Sequence, residues 1–137
     1  MISDGRRTPL PRLQWAVRAT ILVVDDNDVI RELLSLSLSY QGYQVLKAKD
    51  AMDAGALLRD RHVDLLLTDI EMPSVDGLEL LRALRRESST AALPVLVVSA
   101  HGHYEQQARQ LGATGYLTKP VRTSDLFSAV AQQLKAA

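Results

Sequence analysis

Asp25, Asp26, Asp69, Ser99 and Lys119 share one property: each stands at or just beyond the end of a short apolar run. Three carboxylates brought together repel one another and pay for desolvation unless a cation or a proton intervenes. An oxygen-rich cluster of that kind suits a hard divalent ion, magnesium first, because magnesium needs few protein ligands. Lys119 supplies one mobile positive charge and Ser99 one hydroxyl donor. Carboxylate-held magnesium, a lysine and a hydroxyl are together what a phosphoryl group needs for charge neutralisation. No Ser–His–Asp set is evident from spacing, so the covalent candidate is a carboxylate, which forms an acyl phosphate. Each residue also has a plainer use. An Asp after a strand often only caps the next helix, a lone Ser after a buried strand is a turn residue, and Lys-Pro is a surface turn. The order of all five along the chain is what points to a site.

Such a site needs elements that bring strand ends together. Residues 21–24 form a continuous apolar run rich in β-branched side chains, and residues 43–47, 63–68, 94–99 and 114–117 read as four further strands. Continuous rather than alternating apolarity means that both faces are covered, as in a parallel sheet. Helices are predicted between them. Asn27 caps the first, with Ile30, Leu33, Leu34 and Leu38 at helical spacing and Gly42 as its stop. Asp50 caps the second, through Asp60, with Ala54, Leu57 and Leu58 inward. Residues 77–86 make the third on a Leu78, Leu81, Leu84 stripe, and residues 104–111 the fourth, closed by Gly112. Thr123 caps the last, which carries Leu126, Phe127, Val130 and Leu134. Five strand–helix units in residues 20–137 leave one economical solution, an α/β doubly wound five-stranded parallel sheet with helices on both faces. In such sheets ligands sit outside the carboxyl ends of the strands, where the five polar residues fall.

Composition bounds the remaining possibilities. The chain has 137 residues, 47% hydrophobic and 23% charged, with a formal net charge of +0, the composition of one ordinary globular domain. The absence of cysteine excludes disulfide scaffolds, zinc-thiolate sites and thiol catalysis, and suits a reducing cytoplasm. No apolar run is long enough to span a bilayer or to act as a signal peptide, so neither membrane insertion nor export is expected. Residues 1–19 hold Arg6, Arg7, Arg12 and Arg18 against Asp4, which leaves 12 basic and 15 acidic side chains in the body. A slightly acidic body is not that of a nucleic-acid-binding domain. Thr8-Pro9-Leu10-Pro11 marks residues 1–19 as an N-terminal leader or linker. Leu13, Trp15 and Val17 alternate, so residues from Leu13 onward are expected to dock partly on the body.

Four blocks of sequence resemble the receiver domain of two-component response regulators, over essentially all of residues 20–137. They are Ile21-Leu22-Val23-Val24-Asp25-Asp26-Asn27, Asp69-Ile70-Glu71-Met72-Pro73-Ser74-Val75-Asp76-Gly77, Val97-Val98-Ser99-Ala100 and Gly115-Tyr116-Leu117-Thr118-Lys119-Pro120. The resemblance implies the flavodoxin-like strand order 2-1-3-4-5. It implies that Asp69 accepts a phosphoryl group from a phosphohistidine on a sensor histidine kinase or a histidine phosphotransfer protein. Asp26, Asp69 and the main-chain carbonyl of Glu71 would hold magnesium, with Asp25 acting through water. Lys119 would contact the phosphoryl oxygens, Ser99 would move to bond them, and Tyr116 would be the switch aromatic that turns inward with it. The Lys119-Pro120 bond would be cis. Glu71 and His101 would border the path of the attacking water and tune the lifetime, His101 being of a type that titrates near neutrality.

Three other readings stand beside that one. A nucleotide-binding domain lacks its glycine-rich phosphate loop here, since neither G-x-G-x-x-G nor G-x-x-x-x-G-K-[ST] occurs. An aspartyl-phosphate hydrolase typically uses Asp-x-Asp, where this chain has Glu71, and no cap domain fits the length. A pure interaction module would leave phosphorylation unused. The expected protein is therefore a cytoplasmic phosphoacceptor rather than an enzyme acting on other substrates. Its output is expected through a protein target at the helix 4–strand 5–helix 5 face, with no output domain following, no direct nucleic-acid contact and no membrane.

Overall fold

A computed structural model of the chain describes residues 19–136. Residues 1–18 of the leader, and with them the docking expected of Leu13, Trp15 and Val17, lie outside the described residues. Five strands, β1 (Thr20–Val24), β2 (Gln44–Ala48), β3 (Leu65–Thr68), β4 (Val95–Ser99) and β5 (Gly115–Thr118), form one sheet in the order β2-β1-β3-β4-β5. Every neighbouring pair is parallel. The helices are α1 (Asp28–Tyr40), α2 (Ala51–Asp60), α3 (Gly77–Arg86), α4 (Glu105–Gln110) and α5 (Thr123–Ala136), and a 3₁₀ turn (Gly102–Tyr104) precedes α4.

Alternate residues of the central strands feed two cores, as a sheet covered on both faces requires. Ile21, Val23, Leu65, Leu67, Leu96 and Val98 pack with Leu38 of α1 and with Leu126 and Val130 of α5. Leu22, Val24, Leu66, Val95 and Val97 pack with Ala54 of α2, Leu81 of α3 and Ala108 of α4. Strands β1, β3 and β4 are buried throughout, whereas the edge strands β2 and β5 are half covered.

Three local expectations need correction. Leu33 is 60% exposed, because α1 turns Leu34 and Leu38 toward the sheet and leaves Leu33 on the far side. It lies there with Val29, Leu36 and Tyr40, all exposed, at positions i, i+4, i+7 and i+11 of one helical face. Thr123 is the first residue of α5 rather than its cap, since Leu126 N–H already bonds the carbonyl of Arg122. The fourth helix is shorter than residues 104–111, its start being wound as the tighter 3₁₀ turn.

Candidate functional site

The register of the sheet levels the strand ends. Val24 stands opposite Thr68 and Ser99 opposite Thr118, so Asp25, Asp69 and Lys119 leave the sheet at adjacent points of one edge. The main chain ties them: Asp69 N–H bonds the carbonyl of Val24 (3.0 Å) and Lys119 N–H that of Ser99 (2.7 Å). The Lys119 ammonium donates to Asp25 Oδ2 at 2.8 Å and to Asp69 Oδ2 at 3.2 Å. Asp25 and Asp69 are buried and Asp26 is exposed. One carboxylate oxygen from each lies within 4.8 Å of the other two.

This set carries more negative than positive charge. Burial pushes the Asp69 carboxyl above the usual carboxylate range; the Asp25 charge adds to the rise, and Lys119 and the Ile70 N–H oppose it. For Lys119, burial alone would lower the pKa, but the bond to Asp25 and the charges of both carboxylates outweigh burial and raise it. One lysine thus faces three acids, the donor set and charge imbalance that a hard divalent cation relieves.

Each side chain is held by a local device. Asp25 Oδ1 accepts from Asn27 N–H at 2.9 Å while Asn27 caps α1 through Ile30 N–H, so one turn sets both. Arg31 donates to the Asp25 carbonyl at 2.8 Å. Asp69 Oδ1 accepts from Ile70 N–H at 2.7 Å. Asp76 caps α3 in a reciprocal box with Glu79, which seats Gly77 against β3. A Cβ on Gly77 would stand 2.1 Å from the Asp69 carbonyl oxygen, so only glycine permits that approach. The Lys119-Pro120 peptide is cis.

The sequence profile described as the response regulator receiver domain matches residues 21–131. The chain belongs to that family. This receiver is 37% identical to the phosphate regulon transcriptional regulatory protein PhoB of Pseudomonas aeruginosa, covering 82% of this chain and 50% of that one. It thus spans about half the length of the relatives of that kind. It is 39% identical to part of the sensor histidine kinase RcsC of Escherichia coli, covering 88% of this chain and 13% of the kinase. The solved structure of chemotaxis protein CheY4 of Vibrio cholerae superposes with a TM-score of 0.80 at 31% identity, over 85% of this chain and 98% of that one. Relatives thus include both response regulators and a receiver segment of a sensor kinase.

Within the receiver, Asp25, Asp26, Asp69 and Lys119 converge as their places at strand ends predict. Ser99 is fully buried at the end of β4, and its Oγ accepts from the main-chain N–H of His101 at 3.1 Å. The Tyr116 hydroxyl donates to the carbonyl of the same His101. The His101 ring, in turn, places Nε2 3.2 Å from Glu71 Oε1. Both candidate switch residues and both candidate lifetime residues therefore meet at His101. Tyr104, expected only as the start of the fourth helix, has its hydroxyl 3.4 Å from Glu71 Oε2 and its ring 4.2 Å from that of His103. Only its closeness in sequence to Ser99 hinted at it. A groove of about 580 Å³ lies away from the carboxylates, along β5 between α4 and α5, with Leu96, Arg109, Tyr116 and Gln133 in its walls. Among the described residues no helix is long and apolar enough to cross a membrane.

Proposed function

We propose that this receiver takes a phosphoryl group onto Asp69 from a phosphohistidine on a kinase or phosphotransfer protein, and thereby switches a partner-binding face. The observation that carries the reading is the Lys119 ammonium shared between Asp25 and Asp69 beside the exposed Asp26. An Asp69 oxygen attacks phosphorus, the phosphorus–nitrogen bond to the donor histidine breaks, and that electron pair returns to the imidazole. Lys119 sits where charge builds on the phosphoryl oxygens and stabilises it electrostatically. Magnesium held by Asp26, Asp69 and the Glu71 carbonyl, with Asp25 acting through water, would neutralise the charge between carboxylate and phosphoryl group. The only chemistry catalysed is this transfer and the later hydrolysis of the acyl phosphate, which returns the Asp69 carboxylate and releases inorganic phosphate. Ser99 trades its bond to His101 for one to the phosphoryl group, and Tyr116 follows. The groove along β5 between α4 and α5 then offers the downstream protein an altered surface. The donor approaches past Asp26, where the exposed stripe of Val29, Leu33, Leu36 and Tyr40 gives it an apolar footing on α1. A cytoplasmic location belongs to the same reading.

The test is direct. Incubation with acetyl phosphate and magnesium should add one phosphoryl mass to the intact protein. Asp69→Asn should abolish the adduct, and its persistence in that variant would overturn the assignment. Asp26→Ala should weaken magnesium binding far more than an Asp60→Ala control.

A further inference from the structure

Glu71 has no unengaged carboxylate oxygen: Oε1 faces the His101 ring at 3.2 Å and Oε2 faces the Tyr104 hydroxyl at 3.4 Å. The two partners come from one loop, between β4 and α4, and the glutamate from another, between β3 and α3. We propose that Tyr104 is a positioning residue that, with His101, clamps Glu71 and lengthens the life of the phosphoryl group on Asp69. The inference rests on the phosphoacceptor reading above and deepens it.

The chemistry follows from where Glu71 stands. It is two residues beyond Asp69, within about 7.6 Å of chain measured from Cα to Cα. In hydrolysis a water oxygen bonds to phosphorus and the bond from phosphorus to the Asp69 oxygen breaks. The electron pair stays on the carboxylate, the proton lost by water passes to an acceptor, and inorganic phosphate leaves. A free carboxylate at this distance is such an acceptor. With the Tyr104 hydroxyl donating to one oxygen and the His101 ring beside the other, the Glu71 carboxylate is held by the second loop and is less free to meet the water. The clamp therefore withholds a base.

The clamp also touches the switch. His101 holds Ser99 Oγ through its main-chain N–H and Tyr116 through its carbonyl, whereas it meets Glu71 through its ring. The Tyr104 ring packs against that of His103, with 4.2 Å between centroids. Loss of the hydroxyl alone leaves that packing in place.

The experiment compares wild type, Tyr104→Phe, Glu71→Gln and the double variant. Each is phosphorylated with acetyl phosphate and magnesium, freed of donor, and followed by intact mass as the adduct decays. Tyr104→Phe should accelerate decay by roughly three- to ten-fold, the size set by one exposed hydrogen bond. It should have no further effect in the Glu71→Gln background. His101→Ala, which frees the other oxygen, should also accelerate decay, and the melting temperatures of the Tyr104 pair should coincide. Equal or slower decay in Tyr104→Phe would overturn the clamp, as would acceleration that persists without the Glu71 carboxylate. No adduct on wild type would overturn the phosphoacceptor reading and the clamp with it.

Discussion

Asp69 and Gly77 show how the main chain at one residue constrains the choice of another across eight positions of sequence. The Asp69 carbonyl and the Ile70 backbone occupy the space where a Gly77 Cβ would stand, at 2.1 and 2.8 Å. Gly77→Ala must therefore push the start of α3 away from β3. A strain of roughly 1–3 kcal/mol is expected, the range for an overpacked buried site. A fall in melting temperature and in the yield of phosphoryl adduct would register it; an unchanged adduct yield would mean that the loop absorbs the methyl group. The carboxylate has the opposite tendency. Its pKa lies above the unfolded value, with burial the largest cause, so the folded state favours the protonated form. That contribution is fully present below the unfolded pKa and is lost as pH rises through the folded one. At neutral pH without magnesium, ionised Asp69 thus costs stability, and Asp69→Asn should melt higher than wild type. The gap should close on acidification toward pH 4, as a pH series of thermal melts would show. A variant that melts lower than wild type at neutral pH would contradict this. The carboxylates and Lys119 were legible because polar residues directly after apolar runs are visible in the chain itself. The need for glycine at position 77, and the part of Tyr104, were not. Both depend on which loop faces which once the sheet is assembled.

At the scale of elements, α1 separates what periodicity reveals from what it hides. Its apolar residues fill more than one face, so the pattern Ile30, Leu33, Leu34, Leu38 did not tell which leucine turns inward. The fold resolves it: Leu38 is fully buried and Leu33 stands on the exposed stripe. Leu38→Ala should cost roughly 2–5 kcal/mol by emptying the core under α1. The double variant Leu33→Ser/Leu36→Ser should stay within about 1 kcal/mol of wild type, as surface changes do. If α1 is the donor's footing, that variant should accept phosphoryl from acetyl phosphate at the wild-type rate. It should accept it more slowly from a phosphohistidine protein. Equal rates from the protein donor would remove α1 from the docking surface. Arg85 illustrates a different blindness. In the sequence it is one more charge near the end of α3, where a cation favours the helix dipole. In the fold it donates to the carbonyls of Thr90, Ala91 and Gly112, tying α3 to the approaches of β4 and β5. Isolated carbonyl acceptors leave no pattern in a sequence. Strand β4 was placed to within a residue because it is buried on both faces and ends at a serine.

The whole molecule couples these parts through the β4–β5 side of the sheet. Ser99 and Thr118 are register partners, Lys119 N–H bonds the Ser99 carbonyl, and His101 is bonded by both Ser99 and Tyr116. A phosphoryl group on Asp69 would offer Ser99 a charge-assisted acceptor, stronger than the neutral bond it now makes with the His101 N–H. Loss of that N–H bond frees the main chain at His101, and with it the carbonyl that anchors Tyr116. The ligand then shifts a two-state population by its difference in affinity for the two arrangements, which is all a ligand can do. Tyr116 lines the groove between α4 and α5, so the shift reaches the surface there. Beryllofluoride with magnesium, a mimic of the phosphoryl group, gives the measurement. Backbone amide shifts on its addition should cluster at residues 99–122, well beyond the loops that carry the carboxylates. The same titration on Tyr116→Phe should keep the response around Asp26 and Asp69 and weaken it along β5, because the anchor on the His101 carbonyl is already gone. Shifts confined to the loops around Asp26 and Asp69 in the wild-type protein would mean that this receiver binds its phosphoryl group without switching that face.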